Sequence, residues 1–137
     1  MAVKRLTHID HRGEASLVDV SAKGVSFREA IARGEIRLQK DTIKLIQSNR
    51  IAKGNVLAAG RLAGIMAAKR TGELIPLCHP LPITHAAVDF EIPKSQDRII
   101  ITASATVTAR CVTRLLVNVV VFVSITNVPD ACGRVLV

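Results

Sequence analysis

Over residues 28–38 the chain alternates. Ala30, Ala32, Gly34, Ile36 and Leu38 fall on one face, and Glu29, Arg33, Glu35 and Arg37 on the other. A period of two over this length predicts a half-buried strand, although alanine and glutamate also suit a helix. The same period returns later. Ala86, Val88, Phe90 and Ile92 share a face, "PKSQD" (93–97) turns the chain, and Ile99, Ile101, Ala103, Ala105 and Val107 alternate back. That is the pattern of an antiparallel hairpin. "LVDVSAK" (17–23) reads as a further short apolar strand leading into a loop.

Helices are predicted between these strands. Asp41 is placed as N-cap of a helix over "TIKLIQS", with Ile43, Ile46 and Leu45 facing inward. After a loop at 49–55, "VLAAGRLAGIMAAKR" (56–70) predicts a second helix ending at Thr71 and Gly72, with Gly72 as its C′ residue. Ala58, Ala59, Gly60, Ala63, Gly64 and Ala67 make this helix slim, so that a sheet or another helix can come close. Helices between strands, followed by a hairpin, predict an α+β sandwich. The 137 residues suit one domain over 1–137, with a polar, partly flexible stretch at 1–16.

"ELIPLCHPLPITH" (73–85) breaks the periodicity. Proline fixes φ and removes a backbone donor, so neither a helix nor a central strand runs cleanly through it. The segment is predicted to be a rigid, extended loop presenting Leu77, Cys78 and His79 at a set angle. A histidine held in this way can act as a general acid or base or as a phosphate ligand. It can equally bond nearby backbone and serve only the loop. Cys78 has no base-and-orienter pattern near it and reads as an inert buried thiol rather than a nucleophile. Cys78, His79 and His85, with His8 and His11 as remote additions, match no zinc spacing, and no metal is expected.

"AKGN" (52–55) places Lys53 just before a helix N-terminus, where free N–H groups and a lysine make a natural anion site. Arg28, at the start of the alternating stretch, is a second candidate cation. Lys69 and Arg70 complement the dipole at the far end of the second helix.

Composition narrows the ligand. Hydrophobic residues make up 49% of the chain but aromatic residues only 2%, with no Trp or Tyr. The core is therefore aliphatic, and the aromatic platforms on which single-stranded nucleic acid stacks are missing. A formal net charge of +8 suits an anionic partner. That partner is either nucleic acid or a phosphorylated small molecule, and no helix-turn-helix, zinc or aromatic pattern supports the nucleic-acid reading. No apolar run reaches membrane-spanning length and the first residues do not form a signal peptide, so no membrane partner is expected. Three cysteines in no metal-ligand spacing point to a reducing compartment, with the cytoplasm as the expectation.

"LTHID…GEASLVDVSAK" (6–23), "AKGNVLAAGRLAGIMAAKRTGELIPLCHPLPIT" (52–84) and the hairpin after them resemble the cyclic pyranopterin monophosphate synthases of molybdenum cofactor biosynthesis. The resemblance covers residues 6–110. It implies a ferredoxin-like α+β fold, an antiparallel sheet packed against helices. It also implies a homohexamer built as a trimer of dimers, with active sites at subunit interfaces and no cofactor. The implied substrate is a small nucleotide-derived molecule, a cyclised dihydro-GTP intermediate, converted to cyclic pyranopterin monophosphate with release of pyrophosphate. On this resemblance Leu77, Cys78 and His79 contact substrate, Lys53 and Arg28 line the pocket, and His79, Lys53 and Asp130 are catalytic.

The chain also departs from the family pattern. K-G-D reads Lys53-Gly54-Asn55, and T-G-V-E-M-E-A-L becomes "CVTRLLVN" (111–118). Y-D-M-C-K becomes Pro129-Asp130-Ala131-Cys132-Gly133, which puts Asp130 on the catalytic aspartate and Gly133 on the catalytic lysine. Residues 111–137 thus form an atypical C-terminal segment, rich in strand-favouring residues. Two expectations stand beside each other: an active synthase, or a catalytically impaired homologue that binds nucleotide or co-assembles.

Overall fold

The structure is a computed structural model that describes Ile9, residues 12–51 and 54–110, and the backbone of 132–136. Alternation builds the sheet. β1 (Ser26–Arg37) begins two residues before the predicted stretch, and Ala32, Gly34 and Ile36 are buried on one of its faces. β2 (Ile83–Glu91) and β3 (Arg98–Ala109) form the predicted hairpin. On β3 the odd positions Ile99, Ile101, Ala103, Ala105 and Val107 are wholly buried. β4 (Cys132–Leu136) adds a strand to the other side of β1, from Arg33↔Leu136 to Arg37↔Cys132.

The sheet order is β2-β3-β1-β4, and every neighbouring pair is antiparallel. β1 and β2 therefore run parallel with β3 between them, the split β-α-β arrangement expected of a ferredoxin-like fold. Helices α1 (Lys40–Gln47), α2 (Val56–Lys69) and the short α3 (Thr71–Leu74) occupy the connection from β1 to β2. The slim face of α2 is the buried one. Val56, Gly60, Gly64, Ala67 and Ala68 are its buried residues, and Arg61 ties it to β2. The Arg61 Nε donates to the Val88 carbonyl at 2.8 Å, and its guanidinium lies 5.8 Å from the centre of the Phe90 ring. The core is aliphatic, as composition predicts: Ile36, Val88, Ile99 and Ile101 pack with Ile46, Val56 and Ala68.

Several sequence expectations are corrected. Residues 17–23 form no strand; the chain turns there, with Lys23 N–H donating to the Val20 carbonyl at 3.0 Å. The N-cap of α1 is Gln39, and Asp41 lies inside the first turn, 3.5 Å from the Lys44 ammonium. A carboxylate there still opposes the helix dipole favourably. Leu45 is 47% exposed, because only Ile43 and Ile46 lie on the side that meets the core. Gly72 is not a C′ residue. α2 stops at Lys69 with Arg70 as its cap, and Gly72 falls within α3 without a positive φ. The face of the sheet away from the helices carries Phe27 and Ile31, 69% and 65% exposed. That apolar pair interrupts the charged face read from the alternation.

The far end of the hairpin is held by charge. Arg98 bonds Asp97 at 2.9 Å and Glu35 at 3.1 Å, which ties the turn to β1, and Ser95 also bonds Asp97. The hydrogen bond from Arg98 is the main cause holding both carboxyls below their ordinary values of 3.8 for Asp97 and 4.5 for Glu35. Because these carboxyls are depressed in the folded chain, their contribution is present above those ordinary values and is lost progressively as pH falls below them toward the depressed folded values. The thermal unfolding midpoint is therefore expected to drop on acidification from about pH 5 to about pH 3. In Arg98→Ala the drop should be shallower over the same range. Parallel curves for parent and variant would show that these pairs do not carry the acid sensitivity.

Candidate functional site

Sheet register decides which candidate residues are neighbours. Arg28 on β1 pairs with Val107 on β3, and Val107 pairs in turn with Ile83, the first residue of β2. Directly paired residues share a face, so Arg28 lies on the helix-covered side, in line with Ala30, Ala32 and Gly34. Its Nε donates to the Ser26 hydroxyl at 3.0 Å. The proline loop runs directly into Ile83. Arg28 and the point where the proline loop enters the sheet thus lie at the same end of it.

The loop is anchored from both sides. Upstream, Ile75 N–H donates to the Thr71 carbonyl and Cys78 N–H to the Ile75 carbonyl, each at 3.0 Å. Downstream, Ile83 N–H donates to the Leu81 carbonyl at 2.9 Å. The Cys78 thiol, partly buried, donates to the His79 carbonyl at 3.4 Å. Gly72 explains the close fit. A Cβ there would stand 3.3 Å from Pro80 Cα and 3.5 Å from the His79 carbonyl oxygen, so the α3 backbone lies directly against the loop. Leu77, Cys78 and His79 are all partly buried, which suits side chains that line a site without being sealed in a core. The predicted extended loop is shorter than 73–85: Glu73 and Leu74 belong to α3, and 83–85 to β2.

Two further cations reach the same end. β1 and β3 finish their pairing at Ser26↔Ala109, and Arg110 follows at once. Its guanidinium donates to the Ser21 carbonyl at 2.8 Å and pins the turn at 17–23. Within that turn the Ser21 amide bonds the Asp19 carboxylate at 2.9 Å. Hydrogen bonds from the Ser21 side chain and then its amide hold the Asp19 carboxyl below its ordinary range. Lys23 sits at the close of the turn. Sequence reading gave neither Lys23 nor Arg110 a role; the V-D-V-S-A-K stretch was the available signal, but only register brings it to Arg110.

Other candidates separate. His85 stands on β2 opposite Thr106, beyond an irregularity in register at 83–85 where the Thr84 hydroxyl donates to the Thr106 carbonyl at 3.1 Å. Thr106 neighbours buried Val107 in sequence and so faces the opposite side of the sheet, which puts His85 on the face away from the helices. Among the described residues no three His, Cys, Asp or Glu side chains gather as metal ligands. His8, His11, Lys53 and Asp130 lie outside the described residues. The start of α2 is described: Gly54 has φ +84, and the Asn55 side chain accepts from Ala58 N–H at 2.9 Å as a true N-cap. Asparagine caps as well as aspartate, so reading K-G-N for K-G-D keeps the local structure. α2 then runs 14 residues toward the His79 loop. At 1.5 Å per residue that is about 20 Å, so one chain sets the Gly54 turn and His79 at opposite ends of the helix.

Fold and site together define an α+β protein of split β-α-β type that presents cations and a loop histidine at one end of its sheet. The sequence profile of the MoaC family matches residues 17–134, beyond Arg110, where the quoted motifs stop. The chain belongs to the MoaC family. A cyclic pyranopterin monophosphate synthase of Parvibaculum lavamentivorans is 50% identical over 107 residues, covering 78% of this chain and 67% of that one. One from Thermomicrobium roseum is 58% identical over 84 residues, 61% of this chain and 51% of the relative. A cyclic pyranopterin monophosphate synthase 3 of Mycobacterium tuberculosis is 47% identical over 130 residues, 95% of this chain and 73% of the relative.

The N-cap gives a direct check on the α2 start. Asn55→Ala is expected to lower unfolding stability by about 1 kcal/mol, and Asn55→Asp to leave it within a few tenths. Denaturant unfolding measures both. Equal losses in the two variants would mean that the cap does not hold the turn after Lys53.

Proposed function

We propose that this chain acts as a cyclic pyranopterin monophosphate synthase. It would convert the cyclised dihydro-GTP intermediate to cyclic pyranopterin monophosphate and pyrophosphate, a lyase-type step of molybdenum cofactor biosynthesis in the cytoplasm. The observation that carries this is the high identity to synthases of that name across the span holding the proline loop, Arg28 and the α2 start. His79 serves as proton donor and acceptor, since an imidazole nitrogen can both give and take a proton. Arg28 and Lys53 bind phosphate oxygens and stabilise the charge that builds as pyrophosphate leaves. Leu77 and Cys78 hold the loop against the nucleotide, and Asp130 supplies a carboxylate to the reaction.

Geometry favours a site shared between chains. α2 separates the Gly54 turn from the His79 loop within one protomer, so a ligand touching both Lys53 and His79 needs a second protomer. A homohexamer built as a trimer of dimers supplies such interfaces, and the exposed Phe27 and Ile31 are apolar surface suited to burial in an assembly.

Two measurements test this. Lys53→Ala and His79→Ala, each deficient alone, are expected to recover nucleotide binding when co-refolded, because mixed assemblies contain interfaces with both residues intact. No recovery would argue for sites confined to one chain. The C-terminal departure gives the second. Gly133, which pairs with Ile36 in β4, offers neither proton nor cation where the family pattern has lysine. Turnover by the chain is expected to rise about a hundredfold or more when residues 111–137 are replaced with a family-type segment, the usual cost of a missing acid-base group. Equal rates would place the catalytic burden in residues 1–110.

A further inference from the structure

Among the described residues of the helical connection, Thr71 is the one polar residue that is fully enclosed, at 1% exposure, and it lies too deep to meet a ligand. Its hydroxyl donates to the Ala67 carbonyl at 3.0 Å, one turn back in α2. Arg70 N–H also reaches that carbonyl, at 3.2 Å. A threonine hydroxyl bonded to the carbonyl four residues earlier bends the helix axis. Here the bond sits at the break between α2 and α3, so it sets the angle at which α3 leaves. From Thr71 a run of bonds continues without interruption. Its own carbonyl accepts from Ile75 N–H, the Ile75 carbonyl accepts from Cys78 N–H, and the Cys78 thiol donates to the His79 carbonyl. The next residue, Gly72, lies directly against the His79–Pro80 backbone. A change in the α2–α3 angle is therefore carried to His79 by two routes, the bonded run and the backbone contact.

We propose that Thr71 is a positioning residue, whose buried hydroxyl fixes the α2–α3 angle and thereby where His79 meets the nucleotide. The proposal rests on His79 contacting ligand. It requires the hydroxyl rather than the side-chain volume. Threonine to valine keeps the shape and removes the donor, alanine removes both, and serine keeps the donor without the methyl.

The test uses the full chain with labelled histidine, following the His79 ring signals by NMR together with the affinity for the cyclised dihydro-GTP intermediate. In Thr71→Val and Thr71→Ala the His79 signals should shift and affinity should fall about tenfold, while Thr71→Ser stays within about twofold of the parent. A role in stability alone would lower the unfolding midpoint without moving His79 well below that temperature. Unchanged His79 signals in a folded valine or alanine variant would overturn the proposal. So would a serine variant whose His79 signals are displaced from the parent's, an outcome that decides the matter even if the hydroxyl-free variants fail to fold. His79→Ala separates the two claims. If it binds nucleotide as tightly as the parent, the functional reading of His79 fails, while the ring signals in the Thr71 variants still report whether the hydroxyl sets the loop.

Discussion

The β1–β3 ladder is the constraint on which the rest depends. Twelve residues of each strand pair without a break, from Ser26↔Ala109 to Arg37↔Arg98. A slip of one residue would turn Ile99, Ile101, Ala103, Ala105 and Val107 out of the core, so burial of the odd positions of β3 locks the register. Once locked, the ladder sets both ends of the molecule. At one end Arg28 and Arg110 are brought level with the start of β2; at the other Arg98 is brought within reach of Glu35.

Small residues let the helices use that frame. Gly60 and Gly64 are buried on α2, where larger side chains would hold the helix away from the sheet. Close approach lets Arg61 reach the β2 backbone and leaves α2 ending where the proline loop must begin. The loop is then gripped between α3 and β2. Prolines limit its backbone, but it is the abutment at Gly72 and the bonds through Ile75 and Cys78 that give it one place. Rigidity in the loop and its placement are thus separate contributions, one local and one tertiary.

The charge balance follows a similar division. At the hairpin turn and the β1 end Asp97 and Glu35 engage Arg98. The opposite end keeps Arg28, Arg110 and Lys23 with Asp19 as a neighbouring carboxylate, itself engaged by Ser21.

Periodicity by itself determined β1, the β2–β3 hairpin and α2, because alternation and helical spacing are local consequences of which side chains must leave water. Composition determined an aliphatic core, and the motifs of residues 6–110 were enough for the family. Element ends were not legible: Gly72 looks like a helix stop in sequence but serves as a close-contact point in α3. Neither was the exposure of Ile31, which needs knowledge of which sheet face the helices cover. The face on which His85 stands was hidden too, since it is set by the register irregularity at 83–85. Thr71 stood out only as the end of a motif and of a predicted helix, with nothing to mark its hydroxyl. A threonine at a helix end is ordinary in sequence, and only packing shows that its hydroxyl is enclosed and bonded to Ala67. Those decisions belong to the tertiary structure because each depends on contacts between segments far apart in the chain, which no local pattern encodes.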